Sequence, residues 1–285
     1  MSDDFSPSPQ VRRDFIKWIE QPCFDSQHAV NWAHLYNKDP QAAMCEATFW
    51  AVLASYGVEV LPNRDLKNKR SPDFLCSRGG RRFYVETTCI LKETVTRRTS
   101  LPDAPEGGAR NFRLLNEAIF KECQDKGKKD GKRKGQCDGL DAPCILAVGT
   151  FHAQATALCI RRRWMEWLLT GEPTIALCID TKLGKAIGDP YQVTQFESSV
   201  FTRVGKLQGL EPTRQPLSAL LVGGFGLDAR EPVRLFGLLN PSPTHELDPQ
   251  VLDRVPFCRQ RIDLSAGTVS AEWVQGGRDE DENDD

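Results

Sequence analysis

Two acidic residues in this chain are spaced as a metal-holding pair would be. Asp73 lies in Ser71-Pro-Asp-Phe-Leu-Cys76 and Glu86 in Arg82-Phe-Tyr-Val-Glu-Thr-Thr-Cys-Ile90, and the two apolar runs meet at Gly79-Gly80. Runs rich in Phe, Tyr, Val, Ile and Thr around a double glycine read as an antiparallel hairpin with a primed two-residue turn, because both glycines accept positive φ. With Gly79 and Gly80 as the loop, residue i faces residue 159 − i, so Arg78 faces Arg81 and Asp73 faces Glu86. Directly opposed side chains have Cβ atoms about 5 Å apart, and like charges there are destabilising until something neutralises them. A divalent cation is the obvious candidate.

The elements that must position this pair lie on either side of it. Pro40-Gln-Ala-Ala-Met-Cys-Glu-Ala-Thr-Phe-Trp-Ala-Val-Leu-Ala-Ser-Tyr-Gly57 begins with Pro, ends with Gly and is apolar nearly all round, which reads as a buried helix. Its one charge, Glu46, has Ala42, Phe49, Trp50 and Leu53 as helical neighbours, and a lone carboxylate on such a face is costly unless paired, hydrogen-bonded or bound to a cation. Val58–Pro62 reads as a short strand, residues 97–110 as a loop, Asn111–Phe120 as a helix and Pro143–Thr150 as a buried strand. Farther on, a helix is expected around Ala155–Leu169, a strand at Thr174–Asp180 and a strand pair at Leu217–Val222 and Arg234–Leu239. There is no internal repeat.

With 285 residues, 40% hydrophobic and 27% charged, the composition is that of an ordinary globular chain able to bury a full core. No apolar run is long enough to span a bilayer and no basic-then-apolar leader is present, so a cytoplasmic protein is expected. Ten cysteines are scattered without a CxxC pair, most within apolar runs where they act as small hydrophobes, and with four His and no HExxH a zinc site is not expected. The net charge of −2 hides two opposed segments: Lys126–Lys134 carries six positive charges and one negative, and 278–285 carries six acids and one Arg. The acidic tail reads as a solvated segment, whereas the basic run, mid-chain beside the acid pair, could hold phosphates.

The order helix, three strands, helix, strand, with Glu46 in the first helix, Ser71-Pro72-Asp73 opening one strand and Glu86-Thr87-Thr88 in the next, resembles the PD-(D/E)xK nuclease superfamily over approximately residues 40–150. The resemblance implies an α/β fold: a restriction-endonuclease-like αβββαβ core with a mixed sheet at 30–150, preceded by a partly disordered leader at 1–29. A C-terminal α/β extension or accessory lobe at 151–275 and a disordered acidic tail at 276–285 would complete the chain. It implies a metal-dependent nuclease in which Glu46, Asp73 and Glu86 hold Mg²⁺ or Mn²⁺, with the Thr87 carbonyl as a further ligand. The metal would polarise a scissile phosphate and activate a water for in-line attack. Glu46, Asp73, Glu86 and Thr88 form the expected catalytic set, and Lys128, Lys129, Lys132, Arg133 and Lys134 the expected contacts to nucleic acid, with DNA the expected substrate.

Thr88 is the departure from the family pattern, since it stands where the motif has Lys. Its hydroxyl supplies no positive charge at any pH. Lys92 shares the strand face by parity but lies six residues on, roughly 20 Å along a strand, so Lys128, Lys132 or Gln136 from the following region is the better substitute. Simpler readings stand beside each role. Asp73 after Pro72 is also ordinary turn chemistry, Glu86 could pair with Arg81 or Arg82, and Glu46 could be satisfied by Tyr, Trp or Arg donors. His152, Trp164 and Trp167 read as structural. The alternative function is a catalytically inactive nuclease-fold protein that binds nucleic acid or regulates a partner. A toxin- or antitoxin-like role for the acidic tail rests on charge alone. A homodimer or a protein partner is left open.

Overall fold

The computed structural model describes residues 9–63, 71–104, 117–119, 121–123, 126, 129–130, 133–159, 161–171, 174–176, 179–186, 191–193, 198–205, 209–225, 235–263 and 268–275. Three helices open the chain, α1 (Pro9–Ile19), α2 (Ser26–Lys38) and α3 (Pro40–Ser55). Helix α3 forms where its sequence places it. The Asp39 side chain accepts the Ala42 N–H at 3.0 Å as N-cap, Pro40 takes the first turn, and Gly57 (φ 76°) ends the run in the left-handed region.

One mixed sheet of eight strands carries the fold: β1 (Glu59–Pro62), β2 (Phe74–Arg78), β3 (Arg81–Ile90), β4 (Cys144–Thr150), β5 (Ala219–Gly224), β6 (Leu235–Leu239), β7 (Phe257–Asp263) and β8 (Thr268–Gln275). They lie side by side in chain order. β1, β2 and β3 form an antiparallel meander, β3, β4 and β5 run parallel, β6 turns back antiparallel, β7 follows it in parallel, and β8 closes the edge antiparallel. The strands of the second half therefore extend the first half's sheet.

All seven residues of β4 are buried, as a parallel strand covered on both faces requires. Its side chains alternate between two cores. Ile145 and Ala147 pack with Phe15, Phe49, Phe83 and Val85 under α1–α3, while Leu146 and Val148 pack with Ile119, Trp164 and Leu168 on the opposite face. The second face is covered in part by α5 (Ala153–Cys159) and α6 (Arg162–Thr170); α4 (Lys92–Thr99) precedes them in the chain.

Several expectations change in detail. Residues assigned to the leader form α1, and its Phe15 is fully buried against the rings of Trp18, Trp32 and Trp50, a burial that contributes roughly 2–3 kcal/mol. α4 occupies residues expected in part to be loop, and it ends at Ser100 in the left-handed conformation (φ 56°). The helix expected around Ala155–Leu169 is two, α5 and α6, while the strand expected at Thr174–Asp180 appears as Thr174–Ala176 and Ile179–Asp180. Of the helix expected at 111–120, residues 117–119 are described and helical, as are 121–123 and 126. Cys137 and Cys144 form a disulfide, whereas Cys45, Cys76, Cys123, Cys159 and Cys258 are buried thiols. The tail at 276–285 lies outside the described residues. Among the described residues no helix is long and apolar enough to cross a membrane.

Candidate functional site

The hairpin register follows from the turn. Gly79 and Gly80 both take positive φ, 57° and 76°, and the ladder runs Arg78↔Arg81, Ser77↔Arg82, Cys76↔Phe83, Leu75↔Tyr84, Phe74↔Val85. Asp73 comes one residue before the last of these pairs, at the mouth of the hairpin beside Glu86. Its Oδ2 accepts the Thr87 N–H at 2.7 Å and the Thr87 hydroxyl at 2.6 Å, so it reaches across to the residue after Glu86. Asn63 holds the same corner from β1, donating its backbone N–H to the Asp73 carbonyl and its side-chain amide to the Pro72 carbonyl, both at 3.0 Å.

Three carboxyls influence one another electrostatically there. Glu86 is 1% exposed, and burial first, then Asp73, pushes its pKa up to about 8 against the opposing pull of Lys126 and Gln136. Glu46 is raised well above the ordinary carboxyl range, by desolvation first and then by Asp73 and Glu86. It has no hydrogen bond to its carboxyl among the described residues. Part of its side chain opens, with Asp73, Trp32, Asn63 and Phe74, on a cleft of about 190 Å³ between α2 and the mouth of the hairpin. Asp73 thus raises the proton affinity of both glutamates, and Glu86 adds to that of Glu46.

Lys126 brings a cation to this cluster. Its ammonium donates to Glu86 Oε1 and, at 2.6 Å, to Gln136 Oε1. Two residues farther along β3, the Thr88 hydroxyl donates to Glu122 Oε2 at 3.1 Å. Glu122 and Lys126 are both helical residues, and they reach Thr88 and Glu86 of β3 respectively. Gln136 also donates to the Ser71 carbonyl at 3.5 Å, linking this segment to the residues that open β2.

Lys126 was not singled out by the sequence, although it begins the basic run and its Glu122-x-x-x-Lys126 spacing is the helical signal that could have found it. Of the substitutes expected, Gln136 joins the site, while Lys128 and Lys132 lie outside the described residues. Lys129–Asp130 pairs antiparallel with Arg133–Lys134, and of these four residues the backbone alone is described. Lys92 does not reach the acids; it pairs with Asp103 at 2.8 Å. Arg81 pairs with Asp248 and Arg82 with Asp141, so neither arginine neutralises Glu86. His152 is buried, its Nδ1 accepting the Ala155 N–H at 3.3 Å in the first turn of α5.

The donor chemistry suits a hard cation. Oxygen atoms predominate, and Glu86 Oε2 is buried with no hydrogen-bond partner among the described residues. In the conformation described, the ammonium of Lys126 stands on the other oxygen, and among the described residues no three His, Cys, Asp or Glu side chains stand close enough to hold an ion together. No family model, no curated protein and no solved structure matches the chain.

Proposed function

We propose that this protein is a metal-dependent phosphodiesterase of the PD-(D/E)xK type acting on nucleic acid, with DNA as the substrate. The observation that carries the reading is the electrostatic coupling of Glu46, Asp73 and Glu86 near the open end of a hairpin, with the Lys126 ammonium on Glu86 as the positive charge that Thr88 lacks. The order of the elements supports it: α3, the β1–β2–β3 meander, α4 and further helical residues, then β4 parallel to β3, an order compatible with the αβββαβ core that the resemblance implies.

Glu46, Asp73 and Glu86 would hold Mg²⁺ or Mn²⁺. The cation would supply Lewis-acid activation of the phosphate and of the attacking water. The chain's own residues do the rest. Thr87 fixes the Asp73 carboxylate through two donors to Oδ2, which orients its other oxygen. Lys126, released from Glu86, offers its ammonium to the charge that develops on the phosphate oxygens. Glu46 opens on the cleft with no hydrogen bond to its carboxyl among the described residues, which leaves it placed to serve as an oxygen ligand.

Plasmid and oligonucleotide cleavage with Mg²⁺ or Mn²⁺ tests this reading. Asp73→Ala should abolish cutting, and Lys126→Ala should slow it by about 10²-fold or more, the usual cost of losing a transition-state charge. Cutting by Asp73→Ala at the parent rate would sink the assignment. A second reading, a nuclease-fold binding module without turnover, is favoured by Thr88 and by the ammonium already seated on Glu86. It requires nucleic-acid binding that survives with no cleavage under either metal, and no cleavage gained by Thr88→Lys.

A further inference from the structure

The segment that bears Gln136 is covalently tied to the sheet beside the acids. Cys137, the next residue, is cross-linked to Cys144, the first residue of β4, and both are buried. Cys144 pairs with Tyr84 on β3, two residues before Glu86, and its N–H bonds the Ser218 hydroxyl at 3.0 Å, so the anchor end of the cross-link is rigid. From the other end Gln136 takes the Lys126 ammonium and reaches the Ser71 carbonyl.

We propose that the Cys137–Cys144 disulfide is a redox-operated staple that positions Gln136, and through it Lys126, on Glu86. With the bond formed, the turn at 136–139 cannot leave the sheet, and the ammonium is gripped from two sides, by Glu86 Oε1 and Gln136 Oε1. A dithiol reductant opens it. One thiolate of the reductant attacks a cystine sulfur, the mixed disulfide is resolved by its second thiol, and two electrons and two protons pass to the protein. Cys137 and Cys144 end as thiols and the reductant as its own disulfide. The part of the loop next to Cys144 stays tied, by Tyr84 and Arg82 on Asp141 and by His245 on the Leu140 carbonyl, while the turn that bears Gln136 loses its covalent anchor and Gly139 within it is exposed. Gln136 is released and Lys126 freed. Gln136 is a positioning residue here, acting through the lysine.

The staple does not depend on the phosphodiesterase reading, because the grip on Lys126 needs neither metal nor nucleic acid. It is tested on the full chain by competitive acylation of lysine amines read by mass spectrometry, with Lys92, ion-paired with Asp103, as internal reference. Adding dithiothreitol should speed labelling of Lys126 about tenfold, the factor for losing one charge-assisted hydrogen bond, and leave Lys92 unchanged. Cys137→Ser/Cys144→Ser should label at the fast rate with or without reductant, and Gln136→Ala should label fast while the disulfide stays intact. The wild-type chain, reduced in place with its far-ultraviolet circular dichroism unchanged, answers the question even if the double variant does not fold. Alkylation of both cysteines in unreduced protein, or equal Lys126 labelling in the two redox states, overturns the proposal.

Discussion

At the scale of residues, Glu86 carries the largest consequence. Its folded pKa of about 8 lies above the ordinary carboxyl value, so between pH 4.5 and 8 the folded state holds a proton that the unfolded chain has released. Stability contributed by the neutral carboxyl is therefore complete below pH 4.5 and is lost as pH rises through 8. The full loss is about 5 kcal/mol from the spacing of the two values. Glu86→Gln, neutral at every pH, should match the parent in urea denaturation near pH 5 and exceed it by up to a few kcal/mol near pH 9 in metal-free buffer. A parent whose stability is flat over that range would show that Lys126 neutralises Glu86 fully and that the raised pKa is wrong.

At the scale of elements, the site depends on how closely α3 lies on the sheet. Gly149 of β4 allows that approach. A Cβ there would stand 2.4 Å from a ring carbon of Phe225, 2.6 Å from Cys45 Sγ and 3.1 Å from a ring carbon of Phe49. Cys45 and Phe49 belong to the helix that carries Glu46, so the added methyl pushes on the element that sets the third acid. Gly149→Ala should cost about 1–3 kcal/mol in urea denaturation, the usual range for overpacking a tight core. A loss below a few tenths would mean that α3 is free to move. The hairpin is less dependent on its surroundings, because its register follows from two glycines in the left-handed region.

At the scale of the molecule, the two halves share one sheet. β4 is hydrogen-bonded to β3 on one side and β5 on the other, and none of its residues faces solvent. A fragment ending at residue 152 retains Glu46, Asp73, Glu86, Lys126 and the disulfide but leaves β4 as an uncovered apolar edge. It should aggregate or fail to fold, because such an edge pairs with other chains. Size-exclusion chromatography and circular dichroism would show this, and a monodisperse, cooperatively melting fragment would mean that the second half is a separate lobe. The N-terminal helix is bound to the same core through Phe15, so the first described residues belong to the fold.

The sequence by itself determined what neighbours along the chain decide. Gly79-Gly80 set the hairpin register, which brings Asp73 near Glu86; Pro40 and Gly57 bounded α3; the run from Pro143 to Thr150 announced a buried strand. Turn chemistry, capping and apolar periodicity act over a few residues, and they can be read there. Tertiary structure alone decided which cation serves the acids. Lys126 meets Glu86 from forty positions farther along the chain (126 − 86 = 40), where Glu122 likewise meets Thr88. Whether Cys137 would pair or pack, and whether the second half would form a lobe or lengthen the sheet, were settled in the same way. Both faces and both edges of β4 had to be covered, and only the folded chain shows which segments cover them.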